Sequence, residues 1–560
     1  MRNRARIYWV LALIGFCSCV PAARVAKLDN DAFMLSSGDS RQVNALDSAS
    51  GKPARAKWTI SDPTVASIDS KGVVTGLKKG DAVITAFNPK NDTIGSCIVS
   101  VDVPFQNPIL PPSWKLYIAD PEPKVFGNGV YVYGSRDEGG NSWCSDKYNV
   151  LYSEDLVHWT DKGVSFHLDS VPEQYMKPKY RRLWAPDALK HPTNGRYYLF
   201  SCFNHTRPVA EEELMVSYSD KPGGWFTDAK PLKIDGKEPI IAIDPGVLVD
   251  EDGKAYVTWP FKMGQLDPDD YTRVIGSTVV DVQQWMPEDN TPFEGPSIRK
   301  RGDTYYYIYI QNDGLRNRPD GTQYNKPTRM AYMTSKSPLG PYTYQGLIME
   351  NTDYPQVINI HGSIVEFKDQ WYVFYHMPVI DKRLTRVMCA EPLTFDEEGK
   401  IIPVKPSTSG IRGAFKYGDR IQASGAVVYP GGEMNPQYVS RENDAKLVFQ
   451  KQGSFAGYRY IDLDNNKAAE VVLDVNTSGA GGVLEIRYDG ADGETLAVVT
   501  LPDTGGEWKE VTAKVSEVRP GKQSFIIGLK EKPASGDVEL DWLQFNEAAV
   551  SATSQSSKAQ

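Results

Sequence analysis

Apolar and polar positions alternate with a period of two along most of this chain, which is typical of half-buried β-strands. Between Tyr117 and Met377 the alternation sharpens into five aromatic-rich runs with turn residues on either side, and no convincing helical period accompanies them. The five runs are Val130–Ser135, Arg196–Cys202, Lys254–Trp259, Thr304–Ile310 and Trp371–His376. We therefore predict a strand-rich repeat over this part of the chain.

Each run follows a polar residue that stands beside proline or glycine. The five openings are Ala119-Asp120-Pro121, Ala185-Pro186-Asp187, Ile243-Asp244-Pro245, Phe293-Glu294-Gly295-Pro296 and Ile360-His361-Gly362-Ser363. A repeat of about 50 to 70 residues is typical of propeller blades or solenoid units. Five sheets arranged radially around a channel fit best. Since the first strand of every blade lines the channel, four carboxylates and one histidine would meet at one mouth.

Two further all-β units flank the predicted propeller, which spans residues 107–410. Short strands with turns every few residues predict a small sandwich over residues 24–103, and a proline-rich joint separates it from the propeller. Six alternating runs predict a second sandwich, a jelly roll, over residues 417–547. The tail, 548–560, is rich in serine and alanine, which predicts disorder. The expected fold class is all-β.

The amino terminus resembles an export signal over residues 1–22. Arg2, Arg4 and Arg6 precede the apolar run Ile7–Phe16, whose ten residues are too few for a membrane span of ~20. A buried strand is the alternative. Cys19 lies in an imperfect lipoprotein box, so lipidation there and ordinary cleavage after Ala22 or Ala23 both stay open. Either route predicts export to the periplasm, the outer membrane or the medium.

Composition narrows the classes of partner and site. Hydrophobic residues make up 41% and charged residues 24% of the chain, as in ordinary globular proteins, and the net charge of −9 argues against nucleic acid as a partner. Neutral sugars are compatible with it. The cysteines beyond the signal show no paired spacing that would indicate zinc, and a Cys144–Cys202 disulfide stays open.

The propeller resembles glycoside hydrolase family 43 in the order of three motifs. Asp120-Pro121 matches the blade-one motif, whose Asp is the general base. Ile243-Asp244-Pro245 matches that of blade three, whose Asp raises the pKa of the acid and orients it. Glu294-Gly295-Pro296 matches that of blade four, whose Glu is the general acid. Trp184-Ala185-Pro186-Asp187 resembles the opening of blade two.

The resemblance also implies roles for residues around these acids. Asp187 either lines a sugar subsite or has a structural role in its turn. His361 resembles a channel histidine linked through water to a structural calcium, with a satisfied buried histidine as the alternative. Arg386 resembles an arginine that contacts the base or the sugar. Trp184, like Trp143 and Trp259, either stacks on sugar or packs in the core. No cofactor is required by this chemistry.

The chemistry of the residues agrees with the resemblance. Glycoside cleavage needs one carboxylic acid to protonate the leaving oxygen and one carboxylate to activate water. A neighbouring like charge keeps the acid protonated near neutral pH. Three carboxylates at one mouth suit a base, an acid and a residue that tunes the acid, and the resemblance implies inversion at the anomeric carbon.

The flanking units have resemblances of their own. Residues 24–103 resemble the bacterial Ig-like (group 2) domain, which implies a spacer or adhesion module. Thr504-Gly505-Gly506-Glu507-Trp508 and Asp541-Trp542 resemble carbohydrate-binding module family 6. Tyr458 and Trp508 are candidate platforms for a sugar, but Glu539 stands where that family often has a sugar-contacting Asn. Either a binding module or a stabilising sandwich is therefore expected.

These observations predict an exported, inverting glycosidase that acts on arabinose- or xylose-containing plant polysaccharides. Exo-action, as an α-L-arabinofuranosidase or a β-xylosidase, is the first hypothesis. An endo-arabinanase or a galactan-acting enzyme is the alternative among enzymes. A non-catalytic glycan-binding protein at the cell surface is the alternative from another class, and the presence of all three acids in their motifs argues against it.

Overall fold

The computed structural model describes most of the chain, and almost all of its regular structure is β-sheet. The described residues are 27–47, 51–138, 143–175, 182–204, 213–288, 290–312, 315–317, 323–325, 328–350, 360–379, 382–427, 446–463, 467, 469–490 and 492–547. Their only helices are single 3-10 turns: Pro112–Trp114, Leu168–Ser170, Glu173–Tyr175, Gly276–Thr278, Gln283–Trp285, Gly410–Arg412 and Ala423–Gly425. Over these ranges, no helix has the length and apolar character that a membrane crossing requires. The predicted signal and tail lie outside the described residues.

The amino-terminal unit is a sandwich whose larger sheet continues into the propeller. Its strands are Lys27–Leu28, Ala32–Leu35, Ser40–Gln42, Ala45–Leu46, Lys57–Ile60, Ala66–Ile68, Val73–Gly76, Gly80–Phe87 and Thr93–Val101. Ala32–Leu35 pairs antiparallel with Thr160–His167, the outer strand of blade one, with Phe33 opposite Thr160. Because main-chain hydrogen bonds cross this boundary, the unit is attached to the propeller along a strand edge.

Five sheets form the propeller, as the repeat predicted. The strands of blade one are Tyr117–Phe126, Gly129–Asp137, Lys147–Ser153 and Thr160–His167. Those of blade two are Arg182–Lys190, Tyr197–Asn204, Glu213–Ser219 and Thr227–Pro231. Blade three contains Gly246–Val249, Ala255–Trp259, Lys262–Asp267 and Asp270–Val274, with short additions at Lys233–Ile234, Glu238–Pro239 and Val280–Asp281.

The last two blades differ in size. Blade four contains Pro292–Arg301, Thr304–Gln311, Arg329–Ser335 and Thr343–Glu350, and a small ribbon pairs Leu315–Asn317 with Gln323–Asn325. The strands of blade five are Gly362–Phe367, Gln370–Val379 and Lys382–Leu393. The five aromatic runs of the sequence are the second strands of the blades. Tyrosines, valines and isoleucines from them fill the space between neighbouring sheets.

The first strands of blades one to three meet through Asp187. Its Oδ2 atom accepts a hydrogen bond from the Val247 amide over 2.7 Å and lies 2.9 Å from Lys124 Nζ. Lys124 Nζ also donates to the Val247 carbonyl over 2.8 Å. Because Lys124, Asp187 and Val247 lie on the innermost strands of their blades, these contacts join the three blades at the centre of the propeller.

The first strands of blades four and five join the same network. Ser297 Oγ lies 2.8 Å from Ser363 Oγ and donates to Glu122 Oε2 over 3.1 Å. Arg299 forms an ion pair with Glu122 and donates from Nε to the Ile364 carbonyl over 3.1 Å. These polar groups are buried, so their mutual hydrogen bonds compensate for lost solvation.

The ring is closed by the segment just before blade one. Ile109 donates from its amide to the Met388 carbonyl over 3.1 Å, and Asn107 Oδ1 accepts from the Ala390 amide over 3.0 Å. The Met388 carbonyl and the Ala390 amide both lie on Lys382–Leu393, the outer strand of blade five. The proline-rich joint is therefore part of the closure of the propeller and does more than link two domains.

The carboxy-terminal unit is a two-sheet sandwich. One sheet contains Arg420–Gln422, Leu447–Phe449, Ala469–Thr477, Lys509–Lys514 and Val538–Glu547, and the other contains Phe455–Ile461, Val483–Tyr488, Thr495–Thr500 and Gln523–Glu531. Alternate residues of both sheets fill one apolar core. The jelly-roll class predicted for residues 417–547 is confirmed.

The two aromatic side chains proposed as sugar platforms in this sandwich differ in exposure. Tyr458 is 1% exposed and stacks on Phe525 in the core, so its assignment as a platform is wrong. Trp508 is 42% exposed and lines a cleft of about 590 Å³ between the joint and the two sandwiches. Glu539 is engaged by Lys446 Nζ at 3.0 Å and by Asn476 Nδ2 at 3.2 Å.

Candidate active site

Two of the three predicted catalytic carboxylates stand on the same unusual backbone. Asp120 has φ = 50° and Asp244 has φ = 51°, and each precedes a proline. The left-handed region is uncommon for residues other than glycine, and a following proline disfavours helical backbone further. Such strain persists only where surrounding contacts hold it, and it is concentrated at functional sites. The repeated Asp-Pro motif therefore encodes a specific placement of the carboxylate.

Asp120 lies at a bulge in the first strand of blade one and is 3% exposed. Its Oδ1 atom accepts a hydrogen bond from Arg386 Nη1 over 2.8 Å, and its Oδ2 atom accepts one from Ser135 Oγ over 2.5 Å. Its amide donates to His376 Nδ1 over 3.0 Å. Both oxygens and the amide are thus held, which leaves the carboxylate a single orientation.

The surroundings of Asp120 keep it ionised. Burial on its own would raise the pKa of Asp120, but the positive charges of Arg386 and His361 outweigh burial and hold that pKa well below its ordinary value. His361 Nδ1 lies 3.3 Å from Asp120 Oδ1. Burial would lower the pKa of His361, but the charge of Asp120 raises it to about 10. At neutral pH Asp120 is therefore an ionised carboxylate held between two cations.

The pKa of Asp244, in contrast to that of Asp120, is raised. It is 6% exposed, and burial raises its pKa well above the ordinary value. The negative charges of Glu294 and Asp120 raise it further, while His361 opposes them. Because two neighbouring carboxylates do not readily ionise together, the pair Asp244 and Glu294 holds its last proton more tightly than an isolated carboxyl does. This is the property that an acid for leaving-group protonation needs.

Glu294 is half-buried on the first strand of blade four, where the strand register shifts on both sides of it. The next residue, Gly295, has φ = 64° and donates from its amide to Asp244 Oδ2 over 3.1 Å. A Cβ atom at Gly295 would lie 2.8 Å from His361 Nε2 and 2.9 Å from Ile310 Cγ1. Only glycine fits, so the Glu-Gly-Pro motif has a steric cause.

Asp187 has structural contacts in this architecture. It is 0% exposed and forms the contacts with Lys124 and the Val247 amide that join three blades. Of the two roles expected for it, these contacts favour the structural one. Substrate contact by Asp187 stays a prediction.

An aromatic wall lies close to Arg386, since Cys144, which directly follows Trp143, contacts the guanidinium. Trp143 and Trp184 are both partly exposed, and their rings meet edge to face at 6.3 Å. Trp184 Nε1 is buried and has no hydrogen-bond partner among the described residues. Trp259, in contrast, is 4% exposed and packs in the core between blades two and three. Of these three tryptophans, only the two of the wall have exposed ring surface, and their stacking on a sugar stays a prediction.

Three residues of the site were not found from the sequence: Ser135, Asp137 and His376. Ser135 pairs with Ala119 and Asp137 with Tyr117 across the first hairpin of blade one. Strand register therefore brings both beside Asp120, and a register assignment could have found them. His376 arrives from blade five, far along the chain, and only ring closure brings it there.

The side chains around His361 do not fit a directly coordinated calcium. Among the residues described above, no group of three or more His, Cys, Asp and Glu side chains is placed to bind a metal together. His361 Nδ1 faces Asp120, and the same carboxylate already has a cation in Arg386. No step of the reaction is therefore assigned to a metal, and a water-linked calcium stays a prediction. The described cysteines, Cys97, Cys144, Cys202 and Cys389, are buried and are not joined to one another by disulfides.

Comparison with known families agrees with this geometry. The sequence profile of glycosyl hydrolases family 43 matches residues 105–401, which is more than half of the chain. The chain belongs to this family. Profiles of carbohydrate binding module family 6 and of the bacterial Ig-like domain, group 2, match residues 431–547 and 26–94. All three predicted resemblances are confirmed, and this family 43 protein is a glycosidase.

Relatives of this family 43 enzyme cover much of its length. A protein named xylosidase/arabinosidase from Thermoclostridium stercorarium is 29% identical over 71% of this chain and 93% of its own. An arabinoxylan arabinofuranohydrolase from Bacillus subtilis is 26% identical over 73% of this chain and 87% of its own. A crystal structure of a family 43 arabinoxylan arabinofuranohydrolase from Bacillus subtilis, in complex with cellotetraose, is 23% identical, covers 79% of this chain and 97% of that chain, and superposes with a TM-score of 0.43.

Proposed function

We propose that this glycosidase is an exported, inverting enzyme that removes terminal α-L-arabinofuranosyl or β-xylosyl groups from plant polysaccharides. The observation that carries the proposal is that carboxyl groups with lowered and raised pKa values occur in one site. Asp120 is held as a carboxylate, while the pair Asp244 and Glu294 holds its last proton more tightly than an isolated carboxyl does. An ionised base and a protonated acid are the two groups that glycoside hydrolysis needs.

In this mechanism Asp120 removes a proton from water as the water oxygen attacks the anomeric carbon. Glu294 protonates the glycosidic oxygen as the bond to the leaving group breaks. Asp244 raises the proton affinity of the pair and fixes the chain after Glu294 through the Gly295 amide. Arg386 and His361 hold Asp120 in its ionised form before the reaction. Water attacks from the side opposite the leaving group, so the configuration inverts.

The substrate class is supported by the relatives, whose names specify xylosidase, arabinosidase and arabinoxylan arabinofuranohydrolase activities. An uncharged arabinosyl or xylosyl group also suits a site whose exposed faces include the Trp143–Trp184 wall. An endo-arabinanase or a galactan-acting enzyme is the second candidate.

A substrate panel tests this proposal. Aryl α-L-arabinofuranoside, aryl β-xyloside, aryl β-galactoside and linear arabinan would be offered to the purified enzyme. Proton NMR of the first-formed sugar, recorded before mutarotation, would then report the anomer. We expect cleavage of the first or second glycoside with inversion. A retained anomer would reject the mechanism, and release of internal fragments from arabinan would establish the endo alternative.

A further inference from the structure

Asp137 lies beneath the base and is buried, at 1% exposure. It ends the second strand of blade one, in register with Tyr117, while Asp120 lies three residues further along the first strand. No motif of the family assignment includes it. Its two oxygen atoms nevertheless accept four hydrogen bonds, and three of these come from Arg386.

The contacts of Asp137 with Arg386 form a fork. Arg386 Nε donates to Asp137 Oδ2 over 3.0 Å, and Nη2 donates to Oδ1 over 3.0 Å. The backbone amide of Arg386 donates to Oδ2 over 2.9 Å. Two parallel hydrogen bonds between a guanidinium and a carboxylate fix the plane of the guanidinium. The remaining nitrogen, Nη1, is thereby aimed at Asp120 Oδ1, 2.8 Å away.

The fourth hydrogen bond ties the aromatic wall to the same carboxylate. The amide of Cys144 donates to Asp137 Oδ1 over 2.8 Å, and Cys144 Sγ lies 3.6 Å from Arg386 Nη2. Cys144 directly follows Trp143, whose ring contacts Trp184. One carboxylate therefore sets both the arginine that holds the base and the backbone that carries one tryptophan of the wall.

We propose that Asp137 is a positioning residue of the glycosidase reaction, which acts through Arg386 to fix the orientation and the charge of Asp120. The inference rests on the assignment of Asp120 as the base. Asp137 does not touch the substrate; it removes the freedom of the guanidinium to rotate away from Asp120. Without Asp137, the Arg386 guanidinium is no longer held in one place beside Asp120. Asp120 then removes a proton from water more slowly.

Asp137→Asn tests the proposal because it keeps the volume and changes one acceptor oxygen into a donor. At least one of the Arg386 donors then faces an NH2 group and loses its partner. We expect kcat on the best aryl glycoside to fall about 10- to 100-fold, with KM changed by less than about threefold. Glu391→Gln is the matched control, since Glu391 is a buried carboxylate on the same strand as Arg386 and contacts other residues. We expect it to retain the wild-type kcat.

A double-mutant cycle separates positioning from a general effect on the fold. Arg386→Lys, Asp137→Asn and the double variant would be compared with the wild type at a temperature below all four melting transitions. If Asp137 acts through Arg386, the double variant falls no further than the more damaging single variant. Effects that multiply would overturn the proposal, and so would an Asp137→Asn enzyme with wild-type kcat.

Two further variants, Asp137→Glu and Asp120→Asn, cover the other possible outcomes. If Asp137→Asn does not fold, Asp137→Glu enters the same cycle, since it retains the charge but moves it outward by one methylene. Asp120→Asn, which is not part of the cycle, tests the base assignment separately. If that assignment is wrong, Asp120→Asn retains turnover, whatever the cycle shows. Failure of the base assignment and failure of the positioning role are therefore distinguishable.

Discussion

The amide of Gly295 donates a hydrogen bond to Asp244 Oδ2 over 3.1 Å, so Asp244 is anchored to the residue that directly follows Glu294. A side chain of the blade-three motif is thereby joined to the backbone of the blade-four motif. The contact fixes the Asp244 carboxyl relative to the main chain that carries Glu294.

Replacing Asp120 should remove most turnover and leave the fold intact. Asp120→Asn has no carboxylate to accept a proton, and general base contributions are typically ~10²–10⁴-fold in rate. The fold should persist because Arg386 keeps its fork on Asp137. Turnover of an aryl glycoside and a thermal melt would be measured side by side. Glu251→Gln, in an exposed turn of blade three, is the control; wild-type turnover in Asp120→Asn would reject the base assignment.

Asp244→Asn should move the alkaline limb of the kcat/KM profile to lower pH. The pKa of Asp244 is raised by burial and by the charge of Glu294, and the repulsion between them makes the pair hold its proton more tightly. An amide carries no charge, so the remaining acid loses its proton at lower pH. The profile would be recorded from pH 4 to 9 on an aryl glycoside. An alkaline limb at the wild-type position would contradict the role of Asp244.

Glu391→Gln should flatten the dependence of stability on pH. Glu391 is buried where the joint meets blade five, and burial raises its pKa to about 8, although Ser407 and Tyr375 donate hydrogen bonds to it. A raised folded-state pKa means that the stabilisation is complete below the unfolded pKa of ~4.3 and is lost as pH rises toward 8. The loss is on the order of a few kcal/mol.

The glutamine fits the same contacts. Oε1 would still accept from the Ser407 amide, Asn107 and Tyr375, and the new NH2 group faces Ser407 Oγ. The gain in melting temperature over the wild type should therefore be larger at pH 8 than at pH 5. Equal shifts at both values would show that Glu391 does not hold its proton in the folded state.

The chain should be exported. The basic start and the apolar run Ile7–Phe16 motivate this expectation. Mass spectrometry of the mature protein from a bacterial host would locate the new amino terminus. A lipid on Cys19 would identify a membrane-tethered form, and an end near Ala22 or Ala23 a freely exported one. A protein that retains Met1 would refute export.

The carboxy-terminal sandwich should bind sugar weakly or not at all. Trp508 is exposed, but Tyr458 is buried, and Glu539 is engaged by Lys446 and Asn476. An ionised carboxylate accepts hydrogen bonds and donates none, so a sugar oxygen that needs a donor finds none at Glu539. Trp508→Ala in the full chain should leave retention in arabinoxylan affinity gels within about twofold of the wild type. A large loss of retention would make the sandwich a targeting module.

The period-two pattern and the turn residues were enough to predict most of the fold. They identified three all-β units and the second strands of the five blades, because alternation records which face of a strand is buried. The Asp-Pro and Glu-Gly-Pro motifs pointed to Asp120, Asp244 and Glu294, since they resemble the motifs of family 43 in kind and in order.

Tertiary structure decided what these residues face. Asp137 and Ser135 reach Asp120 through strand register, and His376 and Arg386 reach it only when blade five closes beside blade one. Tyr458 shows the same limit, since its strand, Phe455–Ile461, has aromatic residues on both faces and no alternation that marks the buried one. A local pattern states that a side chain is buried or polar. The partners of Asp120 lie as many as 266 residues away along the chain, and only the closed ring brings them to it.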